Sequence, residues 1–332
     1  MNRATRTPTI AVVVSTYNRA DRLPRLVAAL EAQQGVDSFE VAIVDDCSTD
    51  DTWSVLQALA ATSDLDLRIA QTPTNGGPAR GRNVGWRMTS APLVAFTDDD
   101  CAPAPMWLAT LATALATADV VQGCTQPDPV RAPGRGPFAR TMIIEEQSGL
   151  FETCNIGYRR AVLEGLRGFD ESFPLPFGED VDLGWRALAA GSTVAWRPDA
   201  LVVHDVAHTT VVRDWIALLK DSRRRRYAPL MVKRHPGLRA QLHHRWFLAP
   251  AHPPTVLALI GFGQLAARPG DPRRWALATA LAVPWIVHRS LIEPLQGRPR
   301  NYPVLLPMGF VTDVAEVAAV AEGALRYRTM LL

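Results

Sequence analysis

Three aspartates in a row, Asp98, Asp99 and Asp100, close a short apolar run in residues 93–103, LVAFTDDDCAP. Carboxylates placed side by side repel, and one of them tends to keep its proton unless positive charge is supplied. A hard divalent cation, Mn²⁺ or Mg²⁺, supplies it: such an ion binds through one or two carboxylates and fills its other positions with phosphate oxygens. The triplet is therefore expected to hold a metal, and the metal a diphosphate. A second acidic group, Glu179, Asp180 and Asp182 in PFGEDVDLGWR, follows a loop carrying Pro and Gly and opens an amphipathic segment. A carboxylate in a cleft there can take a proton from a hydroxyl, although acidic residues favour a helix N-terminus without any chemistry.

The elements that must position these groups are legible from periodicity. TIAVVVST (9–16), FEVAIVDD (39–46), LRIAQT (67–72) and LVAFTDDD (93–100) are short and mostly apolar throughout, as strands buried on both faces are. Between them, Leu23, Leu26, Val27 and Leu30, then Val55, Leu56 and Leu59, keep helical spacing. The alternation predicts an α/β fold with a mostly parallel sheet flanked by helices. In such sheets ligands bind outside the carboxyl ends of the strands. The polar runs STYNR (15–19), DDCSTD (45–50) and TDDD (97–100) fall at those ends. Helix capping accounts for Asp21 and Asp50, but not for a triple aspartate. No GxGxxG follows the first strand, and no GxxxxGK followed by Ser or Thr occurs, which argues against a dinucleotide or triphosphate cradle.

VVVSTYNR, VAIVDDCSTDDT, NGGPARGRNVG, VAFTDDDCAPAPMWL and GFDESFPLPFGEDVDLGWR follow one another over roughly residues 8–205. In order and spacing this resembles the inverting family 2 glycosyltransferases of the GT-A fold (Rossmann-like). The resemblance implies a nucleoside-diphosphate sugar donor. It implies that Ser15, Tyr17, Asn18 and Arg19, with Asp46 rather than Asp45, line the nucleoside pocket; an N-cap is the other reading of Asp46. Asn75, Gly76, Arg80, Arg82 and Asn83 would approach the diphosphate or hold the acidic loop. Asp98 would face the ribose and sugar or the metal's water shell, Asp100 would bind the metal directly, and Asp99 could substitute for either. His204 in ALVVHDV would complete the metal site, with His208 as its competitor. Asp180 matches the catalytic base, and Glu179 would contact sugar or acceptor. Glu152 and Asn155 in FETCNIGYRR could hydrogen-bond sugar hydroxyls, or the segment is an ordinary edge strand. The leaving diphosphate needs no acid, because metal and arginines offset its charge.

With 332 residues, 48% of them hydrophobic, the chain can hold one large catalytic domain, residues 1–205, and a smaller helical C-terminal extension, residues 206–332. Cys47, Cys101, Cys124 and Cys154 are scattered without CxxC spacing, so a reducing cytosol is expected rather than a disulfide framework or zinc site. The apolar run near the start, about seven residues, is too short for a signal-peptide core. Net charge is +2, yet residues 213–300 carry sixteen of the 35 Lys and Arg and four of the 33 Asp and Glu. There Val212, Trp215, Ile216 and Leu219 share a helical face ahead of Arg223–Arg226, and apolar segments follow at 254–267 and 275–287. At about 13 or 14 residues these fall short of the roughly 20 that span a bilayer and suit interfacial or hairpin helices. The expectation is a cytoplasmic protein, peripheral at the inner face of the cell membrane through 213–300, with a lipid-linked or cell-envelope glycan acceptor; internal packing of those segments is the alternative. No stacking or base-reading pattern supports nucleic acid. Two other functions fit the acidic strand ends: a sugar-nucleotidyltransferase, and a non-catalytic nucleotide-sugar-binding module.

Overall fold

The computed structural model describes residues 7–134, 136–173, 176–207, 209–292 and 305–332; His208 lies outside the described residues. The chain divides into two units, residues up to 132 with 141–206, and 133–140 with 207–332.

In the first unit β1 (Ile10–Thr16), β2 (Phe39–Asp45), β3 (Asp66–Gln71) and β4 (Leu93–Thr97) run parallel in the order β3-β2-β1-β4. The Val, Ile and Ala runs of β1 and β2 are almost wholly buried, as strands covered on both faces must be. Helices α1 (Leu23–Glu31), α2 (Thr52–Thr62) and α4 (Trp107–Ala114) pack on one face through Leu23, Leu26, Leu30, Leu56, Trp107 and Leu111. Helices α3 (Pro78–Met88), α5 (Arg160–Leu166) and α6 (Glu179–Ala189) pack on the other through Ala79, Trp86, Leu163, Leu183 and Ala187.

Beyond β4 the sheet continues with β7 (Asn155–Arg159), β6 (Val120–Pro127), β8 (Val194–His204) and β5 (Cys101–Pro103). β7 is antiparallel to both β4 and β6; the segment that could have been an edge strand is a central one. The strand expected over 93–100 stops at Thr97. The backbone N–H of Cys101 donates to the Asp98 carbonyl (3.2 Å) and turns the chain through the acidic triplet. β5 then pairs with the end of β8, Cys101 opposite His204. This turn brings the triplet to His204.

The second unit contains α7 (Val211–Ser222), α8 (Ala228–Arg234), α9 (His252–Ala267), α10 (Pro272–Val287) and α11 (Leu306–Tyr327). Val317, Ala319 and Val320 of α11 are buried in it. Gly323 lets α11 approach the backbone of Arg226, where an added Cβ would lie 2.0 Å from its carbonyl oxygen. The apolar face expected on α7 is only partly used. Trp215 donates from Nε1 to Met308 O and Thr312 Oγ1, both at 3.0 Å, whereas Val212 and Ile216 are exposed. Asp214 is buried in their stead, accepting from Thr209 N and Oγ1.

Candidate active site

The loops after β1, β2 and β4 and the N-terminal ends of α3 and α6 carry the polar cluster. Gly81 allows α3 to run close to the end of β1: a Cβ there would sit 2.1 Å from Ser15 Oγ. That approach carries Arg82, buried at 5% exposure, into the cluster. Its Nη2 lies 2.9 Å from Asp98 Oδ1, and its Nη1 lies 2.9 Å from Glu179 Oε1. Asp98, Glu179 and Asp180 hold the guanidinium charged against the desolvation that opposes it.

The other two aspartates also face arginines. Arg19 Nε is 3.5 Å from Asp99 Oδ1, and Arg22 Nη1 is 3.5 Å from Asp100 Oδ2. Burial, then the neighbouring Asp100, push the Asp99 carboxyl up to about 7, against the pull of Arg19. Much of the countercharge that the triplet demands thus comes from the chain itself, one guanidinium beside each carboxylate. Arg22 was absent from the residues singled out by sequence. It follows Arg19 by three and stands at the N-terminal end of α1, and that spacing was the available signal. Arg22 also reaches Asp205 at 2.9 Å, and Arg131 reaches the same carboxylate at 2.6 Å. A cleft of about 130 Å³ is lined by Arg22, Arg25, Asp99, Asp100, Arg131 and Asp205, among others.

The case for a metal therefore rests on a narrower observation. Asp100, Cys101 and His204 offer ligand atoms within 4.8 Å of one another. His204 Nδ1 is 2.7 Å from the carbonyl oxygen of Asp205, which only accepts, so the proton sits on Nδ1. Nε2 faces Asp100 Oδ1 at 3.4 Å, so the ring, oriented by a backbone carbonyl, turns that nitrogen to the place where a metal on Asp100 would sit. Burial pushes the Cys101 thiol well up, leaving it a neutral, poor ligand for a hard cation. The remaining carboxylate and imidazole pair fits a dication, and the imidazole favours a transition ion over Mg²⁺. Asp98, a predicted partner in this set, is engaged by Arg82.

In the loop after β1 Tyr17 is 42% exposed. Asn18, at φ 53°, a conformation Asn tolerates, ties the loop after β1 to the loop after β2. Its N–H donates to Ser48 Oγ (2.9 Å), and its Oδ1 accepts from Thr49 N (2.8 Å). Asp46 is 2% exposed and anchors the glycine turn: it accepts from Thr72 Oγ1 (2.8 Å), Gly76 N (3.0 Å) and Gly77 N (2.7 Å). Asp45 accepts from Ser48 and from Gln71 Nε2. Neither carboxylate stands open, so Asp46 is a loop anchor first. Asn75 is exposed, and Arg80 rests on Thr74 Oγ1 at 3.0 Å.

Two predicted contacts are structural. Asn83 is buried; its Nδ2 donates to Phe169 O (2.9 Å) and Glu171 Oε1 (2.7 Å), and its Oδ1 accepts from Phe169 N (2.9 Å) and Trp86 Nε1 (3.1 Å). Asn155 is fully buried; it donates to Cys124 O (2.7 Å) and Ala200 O (2.8 Å) and accepts from Trp107 Nε1 (2.8 Å). With both donors spent, neither amide is placed to read a sugar or a phosphate.

The first turn of α6 carries Glu179, Asp180 and Asp182. Burial and the Glu179 charge raise the Asp180 carboxyl well above the usual range, with Arg82 offsetting only part. Such a shift strengthens a base. Glu179 is 3% exposed, and its Oε2 is a buried acceptor without a hydrogen-bond partner among the described residues, which suits a ligand hydroxyl. Asp182 turns to Arg186 at 2.7 Å along its own helix. Glu152 is raised by burial and lines a second cleft of about 470 Å³ with Ile143, Ile144, Glu145, Glu146 and Ser148.

This site lies on a fold of the expected GT-A type. Residues 11–166 match the family described as Glycosyl transferase family 2, and the chain belongs to that family. It is 31% identical over 253 residues to the Pre-mycofactocin glycosyltransferase of Mycobacterium tuberculosis (strain CDC 1551 / Oshkosh), across 70% of this chain and 49% of that protein. To the Validoxylamine A glucosyltransferase of Streptomyces hygroscopicus subsp. jinggangensis (strain 5008) it is 29% identical over 277 residues, 71% of this chain and 63% of that one. The chain thus spans between about half and just under two thirds of these relatives. The Succinoglycan biosynthesis protein ExoO of Rhizobium meliloti (strain 1021) is 29% identical over 320 residues, 89% of this chain and 87% of its own. Among solved structures, the Mannosyltransferase PcManGT from Pyrobaculum calidifontis in complex with GDP-Man and Mn²⁺ superposes with TM-score 0.57. Its identity is 21%, over 98% of this chain and 88% of that one.

Proposed function

We propose that the protein is a metal-dependent inverting glycosyltransferase. It moves a sugar from a nucleoside-diphosphate sugar to a hydroxyl of a glycan or lipid-linked acceptor. The observation that carries this reading is Arg82, which bonds Asp98 of the acidic triplet with one nitrogen and Glu179, beside Asp180, with another. One buried side chain thereby fixes the spacing between the diphosphate end and the base end. Asp180 accepts the acceptor hydroxyl's proton as that oxygen attacks the anomeric carbon from the face opposite the leaving group. Glu179 Oε2 accepts from a sugar or acceptor hydroxyl. Arg19 and Arg82 lie where negative charge on the departing diphosphate is offset. Asp100 and His204 would hold Mn²⁺ or Mg²⁺, which supplies Lewis-acid stabilisation of the leaving group when bound. A complex with GDP-Man and Mn²⁺ in a structural neighbour supports the donor class, and relatives named as a glycosyltransferase and a glucosyltransferase support the reaction. The basic, apolar stretch 213–300 supports contact with the inner face of the cell membrane.

The test is a panel of UDP-, GDP- and dTDP-sugars with Mn²⁺, scored for free nucleoside diphosphate and for the anomeric configuration of the product. Release of pyrophosphate in place of the diphosphate identifies a sugar-nucleotidyltransferase. Donor binding without turnover identifies a binding module. Asp180→Asn leaves donor binding in place and abolishes transfer on this reading; continued turnover moves the base elsewhere.

A further inference from the structure

We propose that α9 and α10 form a helical hairpin that inserts into the hydrocarbon of a lipid bilayer, so that the protein is held by integral rather than surface attachment. The inference rests on the membrane contact proposed above and is independent of the transfer chemistry. From Pro253 to Ala267 and from Trp275 to Val287 the sequence holds no charged side chain. The two helices meet at small residues: a Cβ on Gly261 would lie 3.0 Å from the Ala278 Cα, the close backbone approach by which helices associate in lipid.

One side meets α11, where Phe262 and Trp285 lie against Phe310; much of the remaining surface is apolar and uncovered. Leu257 and Leu259 stand two residues apart, about 160° around the helix, and are 40% and 36% exposed. Trp275 and Leu277 bear the same relation on α10 and are 57% and 45% exposed. Ile260, Phe262, Val283 and Ile286 are exposed as well. A helix apolar on all sides belongs in a core or a membrane. This one is not in a core, since the 18-residue window on the helix from Pro272 to Ile292 is only 17% buried. A second copy docking on the hairpin would cover one side; lipid covers both.

Dimensions and charge agree. α9 has 16 residues, about 24 Å. α10, continued by a π turn to Ile292, gives 21 residues, about 31 Å, against roughly 30 Å of hydrocarbon. The π turn lengthens α10 alone, and it carries Arg289, paired with Asp313, at the end where the helix would leave the hydrocarbon. Charge gathers at the tip, as Arg268, Asp271, Arg273 and Arg274, where phosphate headgroups complement it. The polar atoms of the tip are tied internally: Arg274 Nη1 donates to Gln264 O (2.7 Å), and Trp275 Nε1 donates to Pro269 O (2.9 Å).

The experiment uses the full chain with Cys47, the one cysteine that is not buried, replaced by Ser, and a nitroxide label at Leu257→Cys or, separately, Leu259→Cys. Each is mixed with phosphatidylcholine–phosphatidylglycerol vesicles. Power-saturation electron spin resonance then compares collision with oxygen, which enriches in hydrocarbon, to collision with a water-soluble nickel chelate. Insertion raises the oxygen-to-nickel ratio severalfold at both labels, and the protein resists extraction at alkaline pH. Protection of one label alone, without vesicles and growing with protein concentration, identifies a dimer face and overturns the proposal. Nickel access at both labels on vesicles overturns it too. Donor hydrolysis in the same samples separates this failure from failure of the catalytic reading.

Discussion

Replacing Arg82 by Met tests whether one buried guanidinium balances the site. Asp98 is 32% exposed on its side chain and Glu179 only 4%, against 6% for Arg82 itself. Solvent screens the Asp98 pair, which is worth at most about 1 kcal/mol. The Glu179 pair is buried, and stripping one partner from such a pair costs about 3–5 kcal/mol because a charge is left uncompensated. The loss has a pH signature. Arg82 lowers the Asp180 carboxyl, so its removal raises a carboxyl that already stands above its unfolded value. A carboxyl raised in the folded state binds more protons there than in the unfolded chain, so stability falls as pH climbs from the unfolded value, near 4, to the folded one. Variant and wild type should lie close together in acid, and the variant should fall behind only as pH climbs past the wild-type folded value of Asp180 toward its own higher one. Urea unfolding across that range measures the gap, and Arg82→Met with Glu179→Gln should recover a large part of it. A variant as stable as wild type at alkaline pH, or a double variant that recovers nothing, refutes the idea that Arg82 compensates this cluster.

Other consequences are open to direct measurement. Because burial and Glu179 raise Asp180, kcat/KM should rise with pH through an inflection above the ordinary carboxylate range; an inflection near 4 removes Asp180 as the base. His204→Ala should weaken Mn²⁺ binding by at least the roughly tenfold that losing even a partner behind a ligand costs, read from the spin resonance of free Mn²⁺ without any turnover; unchanged affinity removes His204 from the metal site. Asn155→Ala should lower stability by about 3 kcal/mol or more, since it strips a partner from the Trp107 indole N–H and from two carbonyls at about 1–3 kcal/mol each. Donor affinity should stay the same, and a selective loss of it would return Asn155 to the sugar pocket.

Much of the fold was readable in one dimension. The apolar runs of β1, β2 and β4 and the helical spacing of Leu23, Leu26, Leu30 and Leu56 predict a parallel α/β sheet because a strand buried on both faces has few residue types open to it. The position of β7 was not readable: an antiparallel strand between β4 and β6 is selected by pairing across long sequence separations. The ends of elements also escaped. Asp98 turns out of β4 because its carbonyl is taken by Cys101 N, and no propensity marks that.

At the site, the chain's own order marked which carboxylates could matter, since residue type and position at a strand end or helix start are local properties. What each side chain does was decided by its neighbours in space. Asn155 spends its amide on two carbonyls and Asn83 on the Phe169 carbonyl and the Glu171 carboxylate, and Asp46 spends its carboxylate on a glycine turn. Arg22, unremarkable in sequence, stands beside Asp100 and Asp205. Sequence alone determined that negative charge would cluster at the strand ends. Only the tertiary structure decided what balances it, because a charge is compensated by whatever lies within a few ångströms, and that distance is set by packing rather than by order along the chain.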